Sequence, residues 1–380
     1  MVWISERKPG PDILINFYSE LFFYKIVLMH TPANTVPLTE NENLNLGLLN
    51  HYLQEKESGL ETIQHITRYT GGYSNLTYSL QTANKAYVLR RPPLGANIKS
   101  AHDMGREFRV LSLLKPHFAK VPAPIIYCDI PDIIGAPFYI MESMEGIILR
   151  AFNAPGMHIS ADTFQKVSAA LVDNLALLHS LDIESTGLIQ LGKPEGYVSR
   201  QVEGWIKRYY AAETDTIETL NSIANWIQKN QPRPQAPAFL HNDYKYDNLI
   251  LNPADLSEII GVLDWEMSTV GDPLMDFGAS LAYWFEAGEA PVFKHYNLTW
   301  LPGNFSRKEL IERYATKTGR DLSDILFYYV FGLFKNAVIA QQIYHRWKQG
   351  HSTDERFGAL LPMIKLLGET ASAALLKNTV

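Results

Sequence analysis

In the run His241-Asn242-Asp243-Tyr244-Lys245-Tyr246-Asp247-Asn248 a carboxylate precedes a carboxamide by five positions, and an apolar stretch then leads to Asp264-Trp265-Glu266. Phosphoryl transfer from a nucleotide needs such groups. One aspartate, here Asp243, accepts or orients the proton of an attacking hydroxyl. An asparagine and a second aspartate, here Asn248 and Asp264, hold metal ions that neutralise developing charge. Asp247 is a turn-forming carboxylate of the same loop. Asn248 opens the apolar strand Leu249-Ile250-Leu251, and Asp264 ends a second one, Ile259-Ile260-Gly261-Val262-Leu263. The intervening Asn252-Pro253-Ala254-Asp255 predicts a hairpin that brings Asn248 and Asp264 to neighbouring strand ends at one cleft. Their oxygens suit a hard ion such as Mg²⁺. Glu266 is either a further ligand or a solvated loop residue.

These residues need elements to position them. Upstream, Ile63-Gln64-His65-Ile66, Thr77-Tyr78-Ser79-Leu80-Gln81 and Tyr87-Val88-Leu89-Arg90 read as strands, with Thr70-Gly71-Gly72-Tyr73-Ser74-Asn75 at the first bend. Gly71 and Gly72 permit positive φ and close approach of backbone to phosphates, although a glycine pair also marks any tight hairpin. Ser74 and Asn75 could add side-chain donors. A short amphipathic helix carrying Leu44, Leu48, Leu49 and Leu53 precedes this array. A helix over His102 to Leu114 follows it, with Phe108, Leu111 and Leu114 on one face. Strands are expected at Ile125 to Tyr127 and Phe138 to Met141. Beyond them, Ser160 can cap a long helix bearing Phe164, Val167, Leu171, Leu175 and Leu178. Further helical patterns span Trp205 to Ala212, Thr216 to Ile227, Leu322 to Trp347 and Phe357 to Leu376. Asp276, after Gly271-Asp272-Pro273-Leu274-Met275, is expected to open a helix and support the catalytic loop. Strands first and helices afterwards predict an α+β chain: a small sheet lobe joined to a larger helical one.

Composition excludes several classes. With 34 Lys and Arg against 40 Asp and Glu, the net charge is −6 and no basic run occurs, so a nucleic-acid partner is not expected. The single cysteine, Cys128, excludes an intramolecular disulfide and a cysteine-rich metal site, and fits a reducing, cytoplasmic setting. Ile13 to Met29 is apolar-rich, but Asn16, Ser19, Glu20 and Lys25 interrupt it. It falls short of the roughly 20 predominantly apolar residues of a bilayer span, so no membrane span is expected. Residues 1–40 read as a poorly ordered extension, Thr31 to Asn43 as a polar lead-in, and Met29 as an alternative start.

The motif residues resemble the aminoglycoside phosphotransferase (APH) family of kinase-like enzymes, in the branch related to kinase domains fused to some acyl-CoA dehydrogenases. The resemblance rests on Thr70 to Asn75, Tyr87 to Pro93, Arg106-Glu107-Phe108, Tyr139 to Glu142, His241 to Asn248, Val262 to Glu266, and Gly271 to Asp276. It covers roughly residues 40–375, and its central block is the specific part. It implies a protein-kinase-like two-lobed fold, with residues 41–145 as the nucleotide-binding lobe and 146–380 as the catalytic lobe. ATP would lie in the cleft near Glu142 and Met144, and its γ-phosphate would pass to a small-molecule hydroxyl. Asp243 and Asn248 keep the spacing of the protein-kinase loop H-R-D-x-x-x-x-N, and His241 supports that loop. Lys245 stands where protein kinases carry a lysine that reaches the transferring phosphate; the alternative is an exposed loop lysine. Arg90 stands where kinases place a phosphate-binding lysine, and Glu107 on the next helix is its expected partner. Two departures are Asn242, where the family usually has glycine, and Arg90 itself, whose forked contact is not equivalent to that of lysine.

The family name does not choose the acceptor. Polycationic aminoglycosides call for an acidic C-terminal pocket, yet residues 321–380 hold five acidic and six basic side chains. An anionic or acyl-type hydroxy compound fits better. Lys335, Gln342 and Arg346 share one helical face and either hold such an anion or are solvated or paired structurally. The alternatives are a non-catalytic nucleotide-binding module and a protein kinase. The latter is disfavoured because no A-P-E triplet occurs and Asp264-Trp265-Glu266 replaces D-F-G.

Overall fold

Side chains that alternate across a strand divide its two faces, and here that alternation separates two packing layers. The computed structural model describes residues 35–38, 44–56, 58–69, 75–93, 103–151, 154–352 and 354–380. Its sheet comprises β1 (Thr35–Pro37), β2 (His65–Tyr69), β3 (Leu76–Gln81), β4 (Ala86–Arg91), β5 (Pro124–Cys128) and β6 (Phe138–Glu142). Spatial order is β1-β2-β3-β4-β6-β5, every pair antiparallel. Tyr78, Leu80, Leu89, Phe138 and Ile140 form one face, covered by Leu49, Tyr52 and Leu53 of helix α1 (Leu46–Glu55). Val88, Tyr139 and Met141 form the other, packed with Met104, Val110, Leu111 and Leu114 of α2 (Met104–Leu114).

This layering places Arg90. It lies two residues after Val88, so it shares the face that meets α2. On α2, Glu107 sits one turn after the buried Met104, and it is buried itself. The sheet's alternation and the helix's period therefore aim the two charges at each other.

The remaining chain is mainly helical: α3 (Ala161–His179), α4 (Tyr197–Ala211), α5 (Glu218–Lys229), α6 (Pro273–Ala282), α7 (Arg307–Thr318), α8 (Ile325–Lys348) and α9 (Leu361–Lys377). Ser160 caps α3 by accepting from the Thr163 amide. Two small antiparallel ladders carry the loops: β7 (Ala238–Leu240) with β10 (Thr269–Gly271), and β8 (Leu249–Asn252) with β9 (Asp255–Val262). The stretch Glu355–Lys377 is long and apolar enough to cross a bilayer by length and composition alone. Within it, Met363, Ile364, Leu367 and Ala371 are buried, and α9 packs on α8 and α5.

Several expectations need correcting. Thr35–Pro37, read as lead-in, is a strand paired with β2. The rest of the 1–40 extension, including the apolar run and Met29, lies outside the described residues. Leu48 is 45% exposed, and Tyr52 takes its place on the buried face of α1. Helix α7 went unpredicted although Ser306 and Glu309 form a capping box at its start, a signal present in the sequence.

Helices α6 and α8 cross where Gly278 meets Tyr328; a Cβ on Gly278 would lie 2.5 Å from the Tyr328 backbone. Backbone cannot yield as a side-chain tip can. Gly278→Ala is therefore expected to cost about 1–3 kcal/mol through overpacking, read as a lowered midpoint in urea unfolding. An unchanged midpoint would show that the crossing has slack.

Candidate active site

The loop that follows β7 is pinned by one buried carboxylate. Asp276, fully buried in the first turn of α6, accepts the His241 amide at 2.6 Å and the Asn242 amide at 2.8 Å. His179 of α3 approaches it through Nε2 at 3.2 Å, and Tyr314 of α7 meets His179 Nδ1 at 2.6 Å. Burial alone would raise the Asp276 pKa, but the His179 hydrogen bond and the His241 backbone amide help hold it below the usual carboxylate value. Asp276 supports the loop rather than capping its own helix. Asp272 caps α6, accepting from Leu274 at 2.9 Å.

Asn242 has φ +67°. This left-handed conformation suits glycine best, and asparagine is among the side chains that tolerate it. The family's usual glycine and this asparagine thus satisfy one backbone demand. Next to it, His241 donates from Nε2 to the Leu263 carbonyl at 2.8 Å, while its Nδ1 accepts the Asp243 amide at 3.2 Å. Trp265, 1% exposed, packs 4.7 Å from the His241 ring and donates to the Val262 carbonyl at 2.9 Å. The loop and the end of β9 are thereby locked together.

Asp243 then meets Lys245 at 3.0 Å, and the Asn248 amide nitrogen donates to its Oδ2 at 3.0 Å and to its carbonyl at 2.8 Å. Burial pushes the Asp243 pKa upward, but Lys245 and, further off, Lys335 outweigh it and keep the carboxyl below its ordinary value. Asp243 is therefore ionised at neutral pH. Lys245 stands over the Tyr283 ring at 4.6 Å. Its own burial favours loss of the proton, but the neighbouring Asp243 reverses this and raises its pKa.

The predicted hairpin forms, with Leu249 opposite Val262. Asn248 and Asp264 consequently flank one cleft. The Asn248 nitrogen is spent on Asp243, which leaves its side-chain oxygen as the atom that could face a ligand. Asp264 has φ +65°, and its buried Oδ1 has no hydrogen-bond partner. An amide oxygen and a carboxylate oxygen on neighbouring strand ends are the donor types a hard cation takes. No three His, Cys, Asp or Glu side chains among the described residues converge into a metal cage. An ion held here would complete its shell with phosphate and water, as Mg²⁺ does.

Arg90 joins the lobes. It contacts Glu107 at 2.5 Å, Asp264 at 3.5 Å and Glu266 at 3.7 Å, and its side chain is 6% exposed. Burial raises the Glu107 pKa, and Arg90 opposes that shift. Glu266 is also hydrogen-bonded to Asn75 at 3.1 Å, so Asn75 bridges β3 to the C-terminal part. Glu142 accepts the Ala123 amide at 3.1 Å, and Met144 packs with Ile148, Ile250, Ile260 and Leu263 into an apolar patch below the cleft. Gly71, Gly72 and Ser74 lie outside the described residues. Cys128 is buried.

Sequence reasoning missed His179, Lys335 as a loop contact, and Arg106. Lys335 donates to the Asn242 carbonyl at 2.8 Å. Arg106 donates to the carbonyls of Glu266, Leu191 and Ser268. Of these, only Arg106 carried a signal, through its place in the Arg106-Glu107-Phe108 block. Lys335 and Arg346 do not act together: Arg346 lines a cavity of about 570 Å³ beside Lys245, Tyr283, Trp284 and Ile343, whereas Lys335 lines a second cleft.

A sheet lobe and a helical part joined through Arg90, with an aspartate loop and a paired asparagine and aspartate at the cleft, define a kinase-like phosphotransferase. The profile described as "Phosphotransferase enzyme family" (APH) matches residues 65–310, and the chain belongs to that family. It is 33% identical over 350 residues to acyl-CoA dehydrogenase family member 11 of Rattus norvegicus, covering 90% of this chain and 44% of that protein. It is 31% identical over 309 residues to probable acyl-CoA dehydrogenase IBR3 of Arabidopsis thaliana, covering 76% of this chain and 37% of that one. The chain thus spans less than half the length of these relatives. Among solved structures, a putative aminoglycoside phosphotransferase of Ralstonia eutropha is 28% identical with TM-score 0.73, covering 87% of this chain and 99% of that one. Choline kinase of Cryptosporidium parvum shares the fold at 12% identity and TM-score 0.61, covering 88% and 96%.

Because the Asp276 pKa is depressed, its contribution to stability is present above the unfolded-state value of about 3.9 and is lost as pH falls through the folded-state value. Asp276→Ala, which strands two backbone amides, is expected to cost roughly 3 kcal/mol or more at neutral pH. The gap from wild type should narrow on acidification. A gap independent of pH in thermal unfolding would assign the loss to packing instead.

Proposed function

We propose that this protein is an ATP- and Mg²⁺-dependent phosphotransferase acting on a hydroxyl of a small molecule. The observation that carries this reading is the placing of Asn248 and Asp264 on adjoining strand ends beside the ionised Asp243, with the buried Asp264 Oδ1 making no hydrogen bond and lying 3.5 Å from Arg90. The acceptor oxygen bonds to the γ-phosphorus, the bond from that phosphorus to the β–γ bridging oxygen breaks, and ADP leaves. The hydroxyl proton passes to Asp243, which also aims the oxygen. Lys245, 3.0 Å from Asp243, stabilises charge on the phosphoryl group in flight. Arg90, oriented by Glu107, holds the nucleotide phosphates, and Gly71, Gly72, Ser74 and Asn75 are the further phosphate contacts the family resemblance implies. Glu142 and Met144 border the base, which rests on the apolar patch. Bound Mg²⁺, held by Asn248 and Asp264, would neutralise phosphate charge; Glu266 is already engaged by Asn75 and Arg90.

The acceptor site we assign is the 570 Å³ cavity beside Lys245. Its lining of Trp284, Ile339, Ile343 and Phe357, with Lys245 and Arg346, suits an anionic or acyl-type hydroxy compound, and Arg356 there is paired with Asp354. The names of the acyl-CoA dehydrogenase relatives support the same choice. A polycationic aminoglycoside would meet arginine there.

MgATP at 100 times Kd is expected to stabilise the fold by roughly 2.7 kcal/mol, seen as a higher melting temperature that Asp264→Ala abolishes. No shift in the wild type would mean that the motif is not a working ATP site. With an acceptor found by ADP-release screening, Lys245→Ala should lower turnover about a hundredfold or more. Unchanged turnover would remove Lys245 from the mechanism.

A further inference from the structure

A second cleft, of about 310 Å³, lies between α4, α8 and the segment Met267 to Thr269, and Asn242 contributes to its wall. Its lining includes five cationic side chains, Arg106, Lys193, Arg200, Arg208 and Lys335, against one carboxylate, Glu266. Glu266 is occupied by Asn75 at 3.1 Å and lies 3.7 Å from Arg90. None of the five cations forms an ion pair with a carboxylate among the described residues. Arg106 and Arg200 donate to backbone carbonyls, and Arg208 stacks 4.8 Å over the Trp205 ring.

Lys335 is the most telling of the five. It is 4% exposed, stands 5.8 Å from the Trp205 ring, and its one hydrogen bond goes to the Asn242 carbonyl. An ammonium has three donors, so two remain unspent in a buried position. Burial pulls its pKa below the ordinary lysine value. Asp243 and Asp276 act on Lys335 from beyond ion-pair distance and offset its burial only in part, so an anion bound against the ammonium would be favoured.

We infer that this cleft is a binding site for a phosphate-type anion, with Lys335 at its base and Arg208, Arg200 and Lys193 around its mouth. The anion is either free phosphate or a phosphate or diphosphate group carried by a larger molecule. Through Lys335 and the Asn242 carbonyl, the site adjoins the backbone that sets Asp243. The inference does not rest on the phosphotransferase reading, because it needs neither ATP nor a metal.

The test is thermal-shift and calorimetric titration of the whole chain with inorganic phosphate and with pyrophosphate, in chelator so that no metal contributes. Saturable binding is expected, weakened about tenfold or more in Arg208→Ser and in Lys335→Met by loss of a charge-assisted contact. Arg208 and Lys193 are exposed, so Arg208→Ser and Lys193→Ser keep the test decisive even if Lys335→Met fails to fold. Saturation by inorganic phosphate marks a site for the free anion. Saturation by pyrophosphate alone marks one for a diphosphate group on a larger molecule. Absence of saturable binding by either, or equal binding in wild type, Arg208→Ser and Lys193→Ser, overturns the inference.

Discussion

The Asp276 carboxylate is the interaction on which the rest of the site depends. A loop that must present an ionised aspartate cannot be held by side-chain packing alone, because its backbone amides need partners once they leave water. Asp276 supplies two acceptors to consecutive amides, from an adjacent helix whose own first turn is capped by Asp272. His179 and Tyr314 extend the network into α3 and α7, so three helices share responsibility for one loop. With His241 and Asn242 fixed, the left-handed turn at Asn242 becomes obligatory, and Asp243 follows in a single orientation.

Charge balance at the cleft explains why the two lobes meet where they do. Arg90 stands among Glu107, Asp264 and Glu266, one cation among three carboxylates. Such a group is stable when the carboxylates are shared out. Glu107 takes the closest contact, Glu266 also accepts from Asn75, and Asp264 keeps an oxygen without a hydrogen bond. In the proposed reaction this excess negative charge would be met by a metal–nucleotide complex, its cation at Asp264 and its phosphates at Arg90. The chain's two cavities place cations on their walls, and α8 contributes to both, with Lys335 on one and Arg346 on the other.

Much of this was legible in the residues because it is local or periodic. The five-residue step from Asp243 to Asn248 lies within one loop. The hairpin that unites Asn248 with Asp264 follows from two apolar runs and a turn between them. Arg90 and Glu107 meet because a period of two on a strand and a buried helical face both point inward. The same features carried the family resemblance, and with it the fold.

Tertiary structure alone decided what depends on partners far apart in the chain. His179 and Asp276 are 97 positions apart, and Lys335 reaches Asn242 across 93. No periodicity links such pairs, and a buried histidine or lysine has the same sequence signature as an exposed one. Lys335, Gln342 and Arg346 illustrate the limit: helical spacing puts them on one face, yet the elements packed around α8 place Lys335 and Arg346 in separate cavities. The sequence by itself determined which chemical groups are available and in what local order. Packing decided which of them are desolvated, which are paired, and which charges are left to meet a ligand.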